Sequence, residues 1–285
     1  MDSKKAAYIF SRIILPLMTL FFLCGVIIWN QDSINALRQK VNTDTLETSM
    51  PDSGYSQTET IDQACLDNTS DNTITNSTKP IEIPQELVEL LSRNPETRDF
   101  VLNYPNEYGK EHKINMEEYQ HSVGVPLFIQ WDPQWGYLDY GSSVVGLSGC
   151  GPICLSMAGA YVTGDYETFR PDRIISFALD EGYRVPGNGT QWALISEGGE
   201  KLGLDVTEIP LDENRIIQNL ELGYPIICIM GPGVFTTEGH FIVLVDYEDG
   251  AFRVNDPNSQ ERSDTLWTYD QFYDQIRNLW VIRSK

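Results

Sequence analysis

The order of the hydrophobic patterns along the chain most constrains its fold: a helical pattern comes first and strand-like segments follow. Residues 152–161 have the spacing of a helix that ends near Gly164. The apolar runs typical of strands then occupy residues 225–230, 240–246, 251–255 and 278–283. Helices followed by a series of strands are typical of an α+β domain with an antiparallel sheet. We therefore predict an α+β domain over residues 124–285.

The composition limits the partners and cofactors that such a domain can take. The 285 residues include 20 basic and 41 acidic side chains, a formal net charge of −21. Because binding to a phosphate backbone needs a basic surface, we expect no nucleic-acid partner. Five cysteines, an odd and modest number, argue against a disulfide-stapled scaffold. The three histidines are scattered and form no paired ligand motif, so we predict neither a metal site nor a cofactor.

A charge-free apolar run near the N-terminus predicts a membrane anchor. The run extends from Ile13 to Trp29, which is about 26 Å as a helix, against about 30 Å for a bilayer core. Lysine and arginine side chains precede it and acidic sequence follows. The positive-inside rule therefore places residues 1–12 in the cytosol and the chain after Trp29 on the other side of the membrane. We expect a single-pass protein of the cell membrane whose globular part is extracytoplasmic.

Three other roles are open to this apolar run. A cleaved signal peptide needs a small-x-small cleavage site, which does not follow the run. A lipoprotein anchored at Cys24 needs a small residue just before the cysteine, where the sequence is FFLC. A buried core helix is the third role, but the run is isolated from other apolar sequence. These comparisons favour an uncleaved anchor over residues 13–29.

Two segments separate this anchor from the predicted domain. Residues 30–79 are rich in Thr, Ser, Asn and Asp and have few large apolar side chains, so they cannot offset the entropy lost on ordering. We expect a disordered acidic stalk there. Residues 80–123 predict a helical prelude, in which Pro84 begins one helix and Asn94 caps a second that has Pro95 at its first position.

The sequence LSGCGPICLSMAG, residues 147–159, places Cys150 between two glycines just before the predicted helix. A thiolate at a helix N-terminus is stabilised by the helix dipole and by free backbone N–H groups. The flanking glycines allow a substrate backbone to approach, and the Cys150 N–H could point at a developing oxyanion. Cysteine is also a common small buried hydrophobic residue, which is the role we expect for Cys154. This motif alone leaves Cys150 open as either a nucleophile or a packed thiol.

His240 begins a strongly apolar strand that continues into a predicted β-hairpin. The segment HFIVLVDYEDGAFRVNDP turns around residues 248–250. Counting antiparallel pairs back from this turn places His240 opposite residues 258–259, or opposite Asp256 if the loop is slightly longer. A base oriented by a residue on the neighbouring strand is what a Cys–His nucleophile needs. The structural alternatives are a strand-end histidine and a turn-forming aspartate before Pro257.

Gln130 is the fourth candidate site residue. It lies in VPLFIQWDPQWGY, upstream of Cys150, and its side-chain amide could supply a second hydrogen-bond donor to an oxyanion. Without the other motifs, it would be interpreted as a loop glutamine. We expect most of the tryptophans and tyrosines around it to lie in the core, with a peptide groove as the alternative.

In this order, the motifs resemble the stand-alone branch of the bacteriocin-processing cysteine peptidase family. The resemblance rests on VPLFIQWDPQWGY, SGCGPICLSMA, GHFIVLVDY and VNDPNS, and it covers about residues 124–283. It implies a papain-like fold, in which a helix that carries Cys packs on an antiparallel sheet that carries His and Asp. It further implies Cys150 as the nucleophile, His240 as general base and acid, Asp256 as the orienting residue and Gln130 as the oxyanion donor.

These observations predict a membrane-anchored, extracytoplasmic cysteine peptidase that hydrolyses peptide bonds through an acyl-enzyme. Its expected partners are a peptide or protein substrate and the membrane. The transporter-fused relatives cut double-glycine leader peptides on the cytosolic side, so an outward-facing chain does not inherit that substrate directly. A peptidase or amidase acting on peptidoglycan stems is a second possibility, although the sequence contains no wall-binding repeats. The third is a papain-like domain that binds a peptide without cutting it, although every residue of the expected triad is present.

Overall fold

The computed structural model describes residues 81–185, 187 and 189–285 as a succession of helices and strands. The helices are α1 (Gln85–Arg93), α2 (Arg98–Glu107), α3 (Glu117–Gln120), α4 (Val145–Ser148), α5 (Cys150–Thr163), α6 (Pro171–Asp180), α7 (Gly199–Lys201), α8 (Glu213–Glu221) and α9 (Gln260–Asp264). The strands are β1 (Asp139–Tyr140), β2 (Ser143–Val144), β3 (Arg184–Val185), β4 (Gly189–Thr190), β5 (Leu204–Glu208), β6 (Ile226–Met230), β7 (His240–Glu248), β8 (Ala251–Asn255), β9 (Leu266–Trp267) and β10 (Ile276–Ser284). Short 3-10 turns lie at Pro95–Thr97, Tyr269–Gln271 and Tyr273–Gln275, and a π-helical turn lies at Leu194–Gly198.

The predicted N-terminal segment, membrane anchor and stalk, residues 1–12, 13–29 and 30–79, lie outside the described residues. Within the described part, no helix combines the length and the hydropathy needed to cross a bilayer. Residues 81–285 form one compact unit, which includes the predicted helical prelude.

One antiparallel sheet dominates the fold and confirms the predicted α+β organisation. Six strands pair in the order β5-β10-β6-β7-β8-β9. The central strands β6 and β7 are nearly continuous apolar runs because both of their faces are covered. On one face Ile227, Phe241 and Val243 join the core cluster around α5. On the other face Ile226, Ile242 and Leu244 join a second cluster together with residues of α8.

Helix α5 lies against this sheet and is buried almost along its whole length. It packs on β7 and β10 and contacts α6, and residues 151–160 are all buried. It ends at Gly164, whose φ of 71° provides the left-handed C-cap that glycine adopts without strain. The predicted helix and its terminus are therefore correct, and its first residue is Cys150.

The helical prelude shares a core cluster with the segment that precedes Cys150. Leu87, Leu90 and Phe100 from α1 and α2 pack with Tyr137 and Val144. The Asn94 side chain accepts a hydrogen bond from the Glu96 N–H at 3.1 Å, which is the predicted cap of the second helical segment. The same two residues also reach the loop after β8, as described below.

Candidate active site

The N-terminus of α5 presents Cys150 as a half-buried thiol. The backbone N–H groups in the first turn of a helix have no intrahelical acceptor, so they remain available around the thiol. Close packing on both sides of Cys150 explains why the flanking residues are glycines. A Cβ atom at Gly151 would lie 2.9 Å from the side chain of Thr190, and one at Gly149 would lie 2.6 Å from the side chain of Val145.

The thiol of Cys150 lies beside the imidazole of His240, so that each group affects the pKa of the other. Burial by itself would raise the pKa of Cys150, but the hydrogen bond and charge of His240 and the Phe241 N–H lower that pKa below its ordinary value. Burial would also lower the pKa of His240, but Asp256 and the thiol raise it above its ordinary value. Both shifts favour a thiolate beside an imidazolium. By contrast, burial raises the pKa of the Cys154 and Cys228 thiols.

Asp256 lies on the other side of the His240 ring and is fully buried, with 0% of its surface exposed. Its Oδ1 atom is 2.7 Å from Nε2 of His240. Because an ionised carboxylate can only accept, Nε2 donates this hydrogen bond and Nδ1 is left for the thiol. Burial would raise the pKa of Asp256, but His240 and Arg262 lower it below its ordinary value. The predicted orienting residue is therefore in contact with the predicted base.

The β7–β8 hairpin brings these two side chains together through its register. The turn residues Asp249 and Gly250 have φ values of 50° and 82°, as in a type I′ turn. A bulge between Leu244 and Asp246 shifts the pairing, so that Val243 pairs with Asn255. If this register is continued, His240 lies opposite Asn258. Asp256 is two residues before Asn258 and therefore on the same face of the hairpin as His240. Such a diagonal pair is within reach of an imidazole and a carboxylate.

The loop that follows β8 also positions Gln130. The Gln130 backbone N–H donates to the carbonyl oxygen of Pro257 at 2.7 Å, and Gln130 as a whole is only 2% exposed. Its amide nitrogen Nε2 donates to the carbonyl oxygen of Gly146 at 3.0 Å, which occupies one of its two N–H groups. Gln130, Cys150 and His240 line the same cleft. All four predicted site residues are thus gathered at one end of α5 and the β7–β8 hairpin.

The family model that matches this chain is the Peptidase_C39 like family, over residues 122–285. The chain belongs to this family. It is therefore a cysteine peptidase with the papain-like α+β fold of C39 peptidases, as the sequence resemblance predicted.

Solved structures of two peptidase domains of transporters also resemble the chain. The peptidase domain of Streptococcus ComA, a bifunctional ABC transporter of a quorum-sensing pathway, is 21% identical with a TM-score of 0.38, over 48% of this chain and 91% of that domain. A double-glycine motif protease from an AMS/PCAT transporter, in complex with its leader peptide, is 16% identical with a TM-score of 0.37, over 56% of this chain and 92% of that one. No curated protein matches the chain significantly.

Sequence reasoning missed one charged residue in this C39-like peptidase. Arg262 donates from Nε to Oδ2 of Asp256 at 2.6 Å, and the N–H of Asn258 donates to Oδ1 at 2.8 Å. Arg262 lies on the short helix α9, which Ser259 caps by accepting from the Arg262 N–H at 3.1 Å. The sequence SQER, with serine at an N-cap position, was the available signal for a helix that turns back toward Asp256.

A cleft of about 1360 Å³ opens at Cys150 and His240 of the peptidase. The prelude helix α1 contributes to its lining through Glu86, Glu89 and Arg93. The loop 231–239 and Trp192 contribute further, with Trp192 and Val234 each 46% exposed. Among the described residues, no cluster of His, Cys, Asp and Glu side chains has an arrangement that could hold a metal ion. The site brings together a thiol, an imidazole, a carboxylate and a side-chain amide.

Proposed function

We propose that this peptidase cuts peptide bonds with Cys150 as nucleophile, His240 as general base and acid, and Asp256 as the residue that orients His240. The observation that carries the proposal is the placement of Cys150 and His240 on one cleft, with the imidazole hydrogen-bonded at 2.7 Å to the buried Asp256 carboxylate. Burial by itself would raise the pKa of the Cys150 thiol and lower that of His240. The neighbouring groups outweigh burial, so the pKa of Cys150 is lowered and that of His240 is raised. This combination favours a nucleophilic thiolate at neutral pH.

The reaction proceeds through a thioester. The thiolate attacks the carbonyl carbon of the scissile bond, and the Cys150 N–H together with the second amide N–H of Gln130 donates to the resulting oxyanion. The imidazolium gives its Nδ1 proton to the leaving amine, the C–N bond breaks and the thioester remains. His240 then accepts a proton from water as the oxygen attacks the thioester. Collapse of this intermediate releases the carboxylic acid product and restores the thiolate–imidazolium pair.

The proposed setting is the outer side of the cell membrane, with the domain held by a helix over residues 13–29. The support is the charge-free apolar run and the basic residues that precede it. The proposed substrate is an extended peptide or protein segment that enters the cleft between α1 and the loop 231–239. Protease accessibility of the globular part on intact cells, together with extraction by detergent but not by alkaline carbonate, tests this placement.

The catalytic proposal is tested by incubating the full chain with a fluorogenic peptide library. We expect turnover by the wild type, loss of that turnover in Cys150→Ala, and retention in Cys154→Ala, which removes the buried thiol one turn away. Turnover that survives Cys150→Ala would exclude Cys150 as the nucleophile. Purified peptidoglycan digested in parallel and analysed by mass spectrometry distinguishes a wall-directed specificity from a general peptide specificity.

A further inference from the structure

The loop that carries Asp256 is held in place by side chains of the helical prelude. The Glu96 carboxylate accepts hydrogen bonds from the backbone N–H groups of Gln260 at 2.8 Å and Glu261 at 3.3 Å, and also from the hydroxyl of Ser259. Glu96 precedes residues 122–285, the part of the chain that the family model matches. One carboxylate from outside the matched domain therefore binds three donors at the start of α9.

A second prelude residue binds the same loop one step closer to Asp256. The Asn94 amide nitrogen donates to the carbonyl oxygen of Asn258. The Trp131 indole N–H donates to this oxygen as well, at 3.3 Å. The N–H of Asn258 in turn donates to Oδ1 of Asp256 at 2.8 Å. The prelude and the segment around Gln130 thus bind the same carbonyl oxygen of this loop, that of Asn258.

Helix α9 connects the Glu96 contact to the carboxylate of Asp256. It has only five residues, which is too short to be stable without tertiary contacts. Its Arg262 donates to Oδ2 of Asp256 at 2.6 Å, and the Ser263 hydroxyl accepts from the Asp256 N–H at 2.9 Å. A displacement of α9 therefore moves two of the groups that hold Asp256 against His240.

We propose that Glu96 is a positioning residue of the active site, which acts through α9 and Arg262 to fix Asp256 against the His240 imidazole. The inference rests on the proposed roles of Cys150, His240 and Asp256. It makes the helical prelude a functional part of the peptidase and not only a packing extension. Glu96 is half-buried, and its carboxylate accepts its hydrogen bonds from residues 259–261 and not from the reacting groups.

The test is the alkylation of Cys150 by iodoacetamide in the full chain, quantified at Cys150 by peptide mass spectrometry. At about pH 6 an ordinary thiol, with a pKa of about 8.5, is almost fully protonated, so the rate reports the thiolate paired with imidazolium. Near pH 9.5 most ordinary thiols are ionised, so the rate there is the reference. We expect Glu96→Gln to reduce the ratio of the acidic to the alkaline rate by at least about threefold.

Two further variants complete the test. Asp99→Asn removes an exposed carboxylate from the first turn of α2 and is expected to leave the ratio unchanged. Asp256→Asn is expected to reduce the ratio, and Glu96→Gln added to it is expected to have no further effect. An unchanged ratio in Glu96→Gln, or full additivity in the double variant, overturns the role of Glu96. An unchanged ratio in Asp256→Asn instead overturns the proposed triad and the inference that rests on it.

Folding is monitored for each variant by thermal unfolding. If Glu96→Gln does not fold, Glu96→Asp replaces it, because a shorter carboxylate keeps the charge but cannot reach all three donors. We then expect a smaller reduction of the same ratio, of at least about twofold. A folded Glu96→Asp protein with the wild-type ratio contradicts the proposal.

Discussion

Arg262 and His240 hold opposite oxygens of the same buried carboxylate. Arg262 Nε lies 2.6 Å from Oδ2 of Asp256, and His240 Nε2 lies 2.7 Å from Oδ1. A fully buried carboxylate is costly unless its charge is paired and its lone pairs accept hydrogen bonds. Arg262 supplies a permanent positive charge, so Asp256 stays ionised whether or not His240 carries a proton. The histidine can therefore gain and lose its proton during a catalytic cycle without leaving Asp256 unpaired.

This pairing predicts that Arg262→Met destabilises the protein by about 2–3 kcal/mol, because it leaves Asp256 buried with one partner fewer. The measurement is urea unfolding followed by tryptophan fluorescence. In an Asp256→Asn background the same substitution should cost much less, because the amide needs no counter-ion. Equal costs in the two backgrounds would show that Arg262 contributes by packing and not through the carboxylate.

The opposite pKa shifts of Cys150 and His240 predict an unusual pH dependence of thiol reactivity. As the pH falls from about 9 to about 6, an ordinary thiol loses its thiolate. Cys150 keeps its thiolate down to its lowered pKa, while His240 stays protonated up to its raised pKa. We therefore expect iodoacetamide at about pH 6 to label Cys150 and to spare Cys154 and Cys228, whose thiol pKa values are raised.

His240→Ala provides the comparison for this labelling experiment. Without the imidazolium, the dependence of Cys150 alkylation on pH should move to the alkaline range of an ordinary or buried thiol. A wild-type profile in His240→Ala would mean that the helix N-terminus alone lowers the pKa of Cys150. Labelling of Cys154 as fast as Cys150 in the folded wild type would contradict the assigned difference between the two thiols.

Gln130→Ala is expected to reduce kcat by about 10²–10³-fold with little change in KM, as for the loss of one oxyanion donor. The substitution also removes the hydrogen bond from Nε2 to Gly146, so the thermal unfolding midpoint is measured beside the kinetics. A folded Gln130→Ala enzyme with kcat within about threefold of the wild type would take Gln130 out of the oxyanion hole. The Cys150 N–H would then be the principal donor.

The sequence was sufficient for the elements whose signal is local. The helix from Cys150 to Thr163 and the β7–β8 hairpin were predictable because each has its own hydrophobic period and its own terminal glycine or turn residues. Strand β5 is not predicted because only its first residue is buried, so its sequence has no apolar run like those of β6 and β8, which have the same length. The bulge between Leu244 and Asp246 was also invisible, since a hydrophobic run does not reveal an extra unpaired residue.

The part of the site that could not be predicted from the sequence consists of contacts between residues far apart in the chain. Ser259 and Glu96 are 163 positions apart, and Asn94 and Asn258 are 164 apart. No periodic pattern links such residues, and polar side chains in loops are usually solvated. His240 and Asp256, only 16 positions apart on one hairpin, could be connected by counting strand pairs. The supporting residues became visible only when the folded chain placed them beside Asp256.

The close packing at the start of α5 predicts that Gly151→Ala impairs catalysis more than stability. The new Cβ atom would lie 2.9 Å from Cβ and Cγ2 of Thr190. The hydroxyl of Thr190 is held at 2.7 Å from that of Tyr140, so its side chain cannot rotate away freely. The start of the helix must therefore shift by a few tenths of an ångström and carry Cys150 with it.

We expect Gly151→Ala to lower kcat/KM by about 10–100-fold, because misplacement of a nucleophile is costly, and to lower the free energy of unfolding by about 1–3 kcal/mol. Peptide cleavage and urea unfolding measure the two effects. Gly164→Ala, at the other end of the same helix, is the control: its φ of 71° makes alanine strained there, but no atom lies within 4 Å of the new Cβ. It should lower stability by about 1 kcal/mol and leave kcat/KM unchanged. Equal losses of activity in the two variants would show that general destabilisation, and not the position of Cys150, limits the reaction.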